Sequence, residues 1–348
     1  GEYLIGIAKQ LKDEYGKSLL EKEQDEQIKI CKEFSFKKLK SKIEDDLKYF
    51  GIKFDNWFYE STLHNGEIQK AIDILKEEGY IYEKEDALWF KSTEFGDDKD
   101  RVIIKSDGAL TYLAADIAYH WDKIQRGYDK LINVWGADHH GYIDRVKAAI
   151  QALGYKKELL EIIIVQLVNL VRDGEKIPMS KRAGEFVTME DVIDEVGKDA
   201  ARYFYIMRSS DSHFDFDLEL AKEESSNNPV YYIQYAHARI FSILENAEEY
   251  DLENVDLSCL KREEEIDLIK LMARYPEVIK DSAVNRQPHI LANYAYDLAN
   301  AFHVFYNKCQ VITSDEKMSK ARLKLVVTLQ QVLKNMFKVL GISAPDQM

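Results

Sequence analysis

Two short stretches of this 348-residue chain carry residue types suited to phosphate and nucleotide chemistry. Pro178-Met179-Ser180-Lys181-Arg182-Ala183-Gly184 offers two adjacent cations, a hydroxyl and a closing glycine, directly after the turn-like Asp173-Gly174-Glu175. A loop of that composition can close over a polyphosphate and follow its charge during transfer. Upstream, Gly136-Ala137-Asp138-His139-His140-Gly141 follows the apolar run Leu131-Ile132-Asn133-Val134-Trp135, which has a buried-strand pattern. A small, polar crossing at the carboxyl end of a strand is where open α/β sheets bind nucleotides. Gly136 permits close backbone approach, and Asp138 or His139 can bond ribose hydroxyls or a base edge. Together the two stretches point to ATP-dependent chemistry.

A third pair suits a different ligand. Tyr112 and Asp116 are four apart in a helical pattern, so their side chains share a face. A carboxylate grips a guanidinium through two parallel charge-assisted hydrogen bonds, which an ammonium cannot match. A neighbouring tyrosine adds a hydroxyl and an aromatic face for the same planar cation. Each feature has an ordinary alternative: a solvent-facing polar pair for Tyr112 and Asp116, a helix cap for Asp138, a solvated basic loop for Lys181-Arg182.

The elements that would hold these residues fall into three blocks. Residues 1–86 read as mainly helical, with an alternating, aromatic-rich strand candidate at Ile52-Lys53-Phe54-Asp55-Asn56-Trp57-Phe58-Tyr59. Strand-like runs follow at 87–90 and 101–105, separated by the acidic turn Gly96-Asp97-Asp98. Then come a helix over 110–122, a strand at 131–135, a helix over 142–153 ended by Gly154, and a strand at 162–168. That alternation predicts a parallel α/β sheet with right-handed crossovers, half of a doubly wound fold. After Asn227-Asn228-Pro229 the pattern is helical: 230–247, 266–283 with Pro276 as an irregularity, 289–307 and 320–340, joined by short polar connections as in a bundle.

Composition narrows the setting. Five prolines argue against long structureless linkers, and no apolar run is long enough to span a bilayer. Cys31, Cys259 and Cys309 are scattered, which suits a reducing compartment and makes no zinc spacing, so a cytoplasmic protein is expected. The formal charge of −14 runs against a nucleic-acid partner, yet net charge says little about a protein that binds through patches. Lys317, Lys320, Arg322, Lys324 and Lys334 leave room for a basic surface near the carboxyl end.

Four motifs in order, Asp107-Gly-Ala-Leu-Thr-Tyr-Leu-Ala-Ala-Asp-Ile-Ala-Tyr119, Val134-Trp-Gly-Ala-Asp-His-His-Gly-Tyr-Ile143, Met179-Ser-Lys-Arg-Ala-Gly184 and Asn228-Pro-Val-Tyr-Tyr-Ile-Gln-Tyr-Ala-His-Ala-Arg239, closely resemble bacterial arginyl-tRNA synthetases, a family of class I aminoacyl-tRNA synthetases. The likeness covers essentially the whole chain. It implies an α/β plus all-α architecture: a helical insertion region (1–86), the second half of a Rossmann-like nucleotide-binding fold (87–190), a connecting segment (191–227) and a helical-bundle anticodon-binding domain (228–348). It implies arginine contacts for Tyr112, Asp116 and His140, and ATP contacts for Gly136, Asp138, His139, Met179 and Lys181. Ser180, Lys181 and Arg182 would neutralise the pyrophosphate leaving group. Tyr232, Tyr235, Tyr306 and Met348 would face the anticodon. The partners implied are tRNA(Arg), L-arginine and ATP with Mg2+ as its substrate complex, with no tightly bound metal, no DNA and no membrane.

Departures from the family pattern matter too. The His-x-Gly-His signature that holds ATP phosphates is missing: His64-Asn65-Gly66-Glu67 and His139-His140-Gly141-Tyr142 have the wrong order. Pro178 stands where the signature loop usually opens with lysine, although Lys176 lies two residues before it. The chain therefore reads as a C-terminal portion, expected to be inactive alone in arginine-dependent pyrophosphate exchange. A competing reading is a non-catalytic tRNA-binding module derived from a class I synthetase. A cysteinyl enzyme would need zinc-site cysteines, and a DHH-type phosphoesterase further metal-binding aspartates and a glycine-rich motif; the sequence has neither set.

Overall fold

The computed structural model describes residues 2–178 and 187–348. In chain order it contains α1 (Glu2–Tyr15), α2 (Gln24–Phe50), α3 (Glu67–Glu77), β1 (Ile81–Lys84), β2 (Ala87–Phe90), β3 (Arg101–Ile104) and α4 (Tyr112–Gln125). Next are β4 (Leu131–Gly136), α5 (Ile143–Ala152), β5 (Leu160–Val165), β6 (Val168–Arg172) and β7 (Glu175–Lys176). Then follow α6 (Met189–Val196), α7 (Lys198–Ile206), β8 (Phe214–Asp217), α8 (Leu218–Lys222) and α9 (Pro229–Glu245). The chain closes with α10 (Glu263–Ala273), α11 (Tyr275–Asn285), α12 (His289–Lys308) and α13 (Glu316–Leu340). Two compact units result: a smaller one of residues 54–167 and 210–213, and a larger one of 1–53, 168–209 and 214–348. These units cut across the segments 1–86 and 87–190 expected from the sequence.

In the smaller unit α3, α4 and α5 bury Ile68, Ile72, Leu75, Leu113, Ile117 and Ala149 against Phe90 and Ile103. β4 and β5 run parallel, Leu131 opposite Leu160 through Gly136 opposite Val165, with Ile124, Val146 and Ile150 beneath them. The expected parallel partner at 101–105 is not part of this sheet. β3 pairs antiparallel with β2 in a β1-β2-β3 meander, because the short 91–100 connection lets the chain fold straight back, whereas a parallel pairing needs a long crossover. Arg101 anchors that return: its Nε and Nη2 each reach an Asp97 carboxylate oxygen at 2.7 Å, and Ser92 Oγ donates to the same group at 2.9 Å. The acidic turn thus contains a buried carboxylate held by a guanidinium fork. Residues 52–59 form no strand. Their rings make contacts of their own, Phe54 with Trp57 at 5.3 Å and Phe58 stacked on Tyr119 at 4.5 Å, and alternation without a neighbouring strand has no ladder to join.

The apolar run expected as one strand at 162–168 divides between β5 and β6, which belong to different sheets and different units. β6 pairs parallel with β8 and antiparallel with β7. The β6–β7 hairpin turns through Asp173 and Gly174, both at positive φ, as a two-residue hairpin turn requires.

The larger unit's core gathers α7, α9, α10, α12 and α13 around Phe204, Ile233, Phe302, Phe305, Leu329 and Phe337. Asn228 starts α9: its Oδ1 accepts from Val230 N at 3.1 Å while its amide donates to the carbonyls of Ala221 and Glu223, and Pro229 takes the first helical position, where no N–H is needed. The single helix expected over 266–283 is two, α10 and α11. Pro276 cannot bond back into the preceding turn and sits in the first turn of α11. Arg202 on α7 joins two helix ends, donating from Nη1 to Phe50 O at 2.9 Å and from Nε to Leu340 O at 3.2 Å. A Cβ on Gly341 would stand 2.5 Å from Arg202 Nη2, so glycine is required there by space as well as by its φ of 71°.

Candidate functional site

Each unit holds one concentration of candidate residues. In the smaller unit, α4 presents Tyr112, which is 81% exposed, and one turn on the half-buried Asp116. Leu113, Ile117 and Ile124 pin the opposite face of the helix in the core, which turns Tyr112 and Asp116 outward together. Burial pushes the Asp116 carboxyl above the usual carboxylate range, and Glu60 adds to this; His139 and Lys123 pull the other way. Among the described residues no hydrogen-bond donor or ion-pair partner reaches the Asp116 carboxylate. It is a partly desolvated acceptor without a cation.

Behind it lies a polar chain that local sequence patterns did not suggest. His120 Nδ1 lies 2.7 Å from Asp116 O, and Asn133 Nδ2 lies 2.8 Å from His120 Nε2. Asn133 Oδ1 accepts from Lys123 Nζ at 2.9 Å, and that ammonium also sits 4.2 Å from the Tyr119 ring centroid. The arrangement assigns the proton to Nδ1 of a neutral His120, whose pKa burial and Lys123 lower to about 4. Asn133, a buried amide in the apolar β4, was the available signal, because a polar residue at an inward strand position must be bonded.

A 3₁₀ turn over Ala137–Tyr142 follows β4. Gly136 lies where an added Cβ would meet Asp138 Oδ1 at 2.7 Å, so the Asp138 side chain folds back over the glycine. Asp138 caps no helix; its carboxylate is 3.7 Å from His139 Nε2, and both side chains are exposed. His139 lies between Trp135 and Tyr142, with ring centroids at 6.1 and 5.7 Å. The structure thus brings His139 towards Asp116, while His140 is exposed on the same turn. Met179, Ser180, Lys181 and Arg182 lie outside the described residues. Lys176, just before them, pairs with Asp215 at 3.6 Å.

In the larger unit α9 and α12 build an aromatic face. Tyr235, Tyr306 and Met348 line one cavity of about 1120 Å³, and Tyr232, Tyr235 and Tyr306 an adjoining one of about 520 Å³. Tyr231 stacks on Tyr235 at 6.1 Å, while Tyr232 is half-buried against His303 at 4.6 Å and Tyr296 at 5.2 Å. Arg239 lies between two rings, its Cζ 4.8 Å from the Tyr235 centroid and 4.9 Å from that of Tyr306, and its guanidinium bonds the Tyr235 hydroxyl. Sequence reading passed over Arg239 and His303; the four-residue step from Tyr235 to Arg239 was the signal for the first. Rings, a sandwiched cation and an open cavity form a platform for flat, anionic polymers such as single-stranded RNA.

Comparison with known proteins agrees with both halves. Residues 12–207 match the family described as tRNA synthetases class I (R), catalytic domain, and residues 233–348 match the DALR anticodon binding domain. Fold and family matches therefore place the chain among class I aminoacyl-tRNA synthetases, with a catalytic domain of sheets and helices followed by a helical anticodon-binding domain. The arginine–tRNA ligase of Bacillus subtilis is 52% identical over 353 residues, and that of Bacillus licheniformis 51%; each alignment covers all of this chain and 64% of the relative. A crystal structure described as a putative arginyl-tRNA synthetase from Campylobacter jejuni superposes with a TM-score of 0.92 at 39% identity, covering all of this chain and 76% of that one. Thermus thermophilus arginyl-tRNA synthetase, at 23% identity and a TM-score of 0.77, covers 93% of this chain and 67% of its own, a likeness of fold alone. This chain belongs to the arginyl-tRNA synthetase family. It spans 64% of the length of the curated relatives it matches.

Proposed function

We propose that this chain carries the arginine-selecting and anticodon-reading parts of an arginine–tRNA ligase, which converts ATP, L-arginine and tRNA(Arg) to arginyl-tRNA, AMP and diphosphate. The observation that carries the reading is the Asp116 carboxylate: half-buried, unbonded among the described residues, and one helical turn from an exposed phenol. The guanidinium of arginine supplies two parallel donors to it and stacks its plane against Tyr112. Burial of the carboxylate favours a ligand that brings its own positive charge.

The chemistry follows in two displacements. The arginine carboxylate attacks the α-phosphorus of ATP and pyrophosphate leaves; a ribose hydroxyl at the tRNA end then attacks the carbonyl of the resulting mixed anhydride, the ribose ester forms and AMP leaves. Gly136, Asp138 and His139 hold the nucleoside, with His140 nearer the amino acid. Ser180, Lys181 and Arg182 stabilise charge on the departing pyrophosphate, and Met179 packs on the nucleotide. Mg2+ enters with ATP as part of that substrate. Tyr232, Tyr235, Tyr306 and Met348 present faces to unstacked anticodon bases.

Because the sequence has no His-x-Gly-His, we expect no arginine-dependent pyrophosphate exchange from this chain by itself, and robust exchange by the purified protein defeats that expectation. The same absence favours a second reading for the isolated chain, a tRNA-binding module without catalysis. Calorimetric titration of L-arginine and of tRNA(Arg) into wild type and Asp116→Ala separates them. The ligase reading expects arginine binding by wild type, its loss in Asp116→Ala, and tRNA binding unchanged in both. Wild type that binds tRNA but no arginine leaves the module.

A further inference from the structure

Gln234 and His237 are three apart on α9, the helix that carries Tyr235 and Arg239, yet both are buried on its other side, 8% and 2% exposed. Their polar atoms go to one segment, residues 341–348. Gln234 Nε2 donates to Ser343 O at 3.0 Å and to Asp199 Oδ2 at 2.8 Å. Asp199, on the first turn of α7, also accepts from Ser343 N at 3.1 Å and from the Ser343 hydroxyl. His237 Nδ1 donates to Pro345 O at 2.8 Å, while its ring packs on Phe337 at 5.9 Å. Ile342 is buried and its N–H bonds Phe337 O at 3.0 Å, so the segment leaves α13 along a fixed direction. Beyond these anchors, Gln347 and Met348 line the 1120 Å³ cavity beside Tyr235, Arg239 and Tyr306.

We infer that Asp199, Gln234 and His237 are positioning residues: they strap residues 342–345 across α9 and so hold Gln347 and Met348 as one wall of the RNA-facing cavity. Lifting the strap leaves the buried His237 without the partner of its Nδ1 and Gln234 with Asp199 alone, a penalty for polar groups inside the core. Two sides of α9 are thereby coupled, one holding the wall and the other supplying the floor. The inference rests on the reading of this face as an RNA platform, and the two can be separated.

The experiment uses this chain labelled with 13C at methionine methyls, the Met348 signal being assigned with Met348→Leu. A hairpin bearing the tRNA(Arg) anticodon loop is the ligand. Asp199→Ala and His237→Leu should move the Met348 methyl to the position and narrow line of a disordered methionine, and weaken hairpin binding by about tenfold, one stacked base's worth. His237→Asn, whose amide can donate from nearly the place of Nδ1, should restore both readouts, which a merely space-filling role does not explain. Ser343→Ala, at an exposed position that leaves the core intact, should give a smaller shift in the same direction. A Met348 signal unmoved by Ser343→Ala and His237→Leu overturns the strap even if the hairpin binds. Failure of wild type to bind the hairpin, with the Met348 signal responding to the variants, overturns the RNA reading and leaves the strap standing.

Discussion

The two candidate sites are built in opposite ways. Around Asp116 the smaller unit gathers a buried polar chain, Lys123 to Asn133 to His120 to the Asp116 backbone carbonyl, while the Asp116 carboxylate itself has no partner among the described residues. Around Arg239 the larger unit keeps its cation occupied: the guanidinium is bonded to Tyr235 and lies between the Tyr235 and Tyr306 rings. A site that selects one small cation needs a vacancy of the right sign in a low dielectric. A platform for flat bases needs rigid faces, and contacts among the rings and the cation between them hold those faces in place.

That contrast is broken most directly at Asp116. Asp116→Asn keeps the shape and removes the charge, so arginine affinity should fall by about a thousandfold. Stability in urea should rise by about 1 kcal/mol, because a desolvated charge has been removed. A variant that binds arginine as wild type does would take the vacancy out of the comparison. All four tryptophans, Trp57, Trp89, Trp121 and Trp135, lie in the smaller unit, so their fluorescence reports that unit alone.

The next effect is a pH dependence confined to the same unit. His120 titrates near 4 when folded against an ordinary value of 6.5, so between those values the unfolded chain binds a proton that the folded one refuses. Stability therefore falls as pH drops from about 6.5 to 4, by about 3 kcal/mol in total, and is insensitive to this group above 6.5. Urea unfolding followed by tryptophan emission should show that decline, and His120→Gln should flatten it.

On the aromatic face the expected effects are smaller. Tyr306→Ala should weaken anticodon-hairpin binding about tenfold. Arg239→Gln should cost about 1 kcal/mol of stability through its two ring contacts. It should also reduce the slope of log affinity against log salt by about 0.7, the share of one phosphate on a single strand. An unchanged salt slope would mean that Arg239 props the rings without meeting the backbone. Least of all, Val134→Lys should leave unfolding within about 0.5 kcal/mol of wild type while reducing self-association in sedimentation. Val134 is 64% exposed on a parallel strand, a class of strand normally covered on both faces.

Local periodicity carried much of this. The Tyr112–Asp116 step, the β4 run with its polar turn, and the helices at 229–245, 289–308 and 316–340 were legible because each is a repeat of three to four or of two residues, whereas the break at Pro276 was not. What escaped was set by distant partners. Arg101 reads as a strand residue until Asp97 is seen beneath it, and Asn133 as a blemish until His120 arrives from another element. The 52–59 run alternates correctly and still forms no strand, since alternation describes a surface and not a neighbour. Likewise Gln234 and His237 look like companions of the tyrosines beside them, and only the path of residues 341–348 shows that they face elsewhere.

Arg202 also closes a long return of the chain. Its guanidinium closes on carbonyls contributed by Phe50 and Leu340, which lie far apart along the chain. Between them the chain departs to build the compact body of residues 54–167 almost without interruption. That body gathers its contacts locally, whereas the Phe50 end of α2 gains its Arg202 clasp only across a long stretch of intervening chain. Until that return is made, the carboxyl end of α2 lacks both the bond to Phe50 O and the guanidinium that lies 5.4 Å from the Phe50 ring centroid.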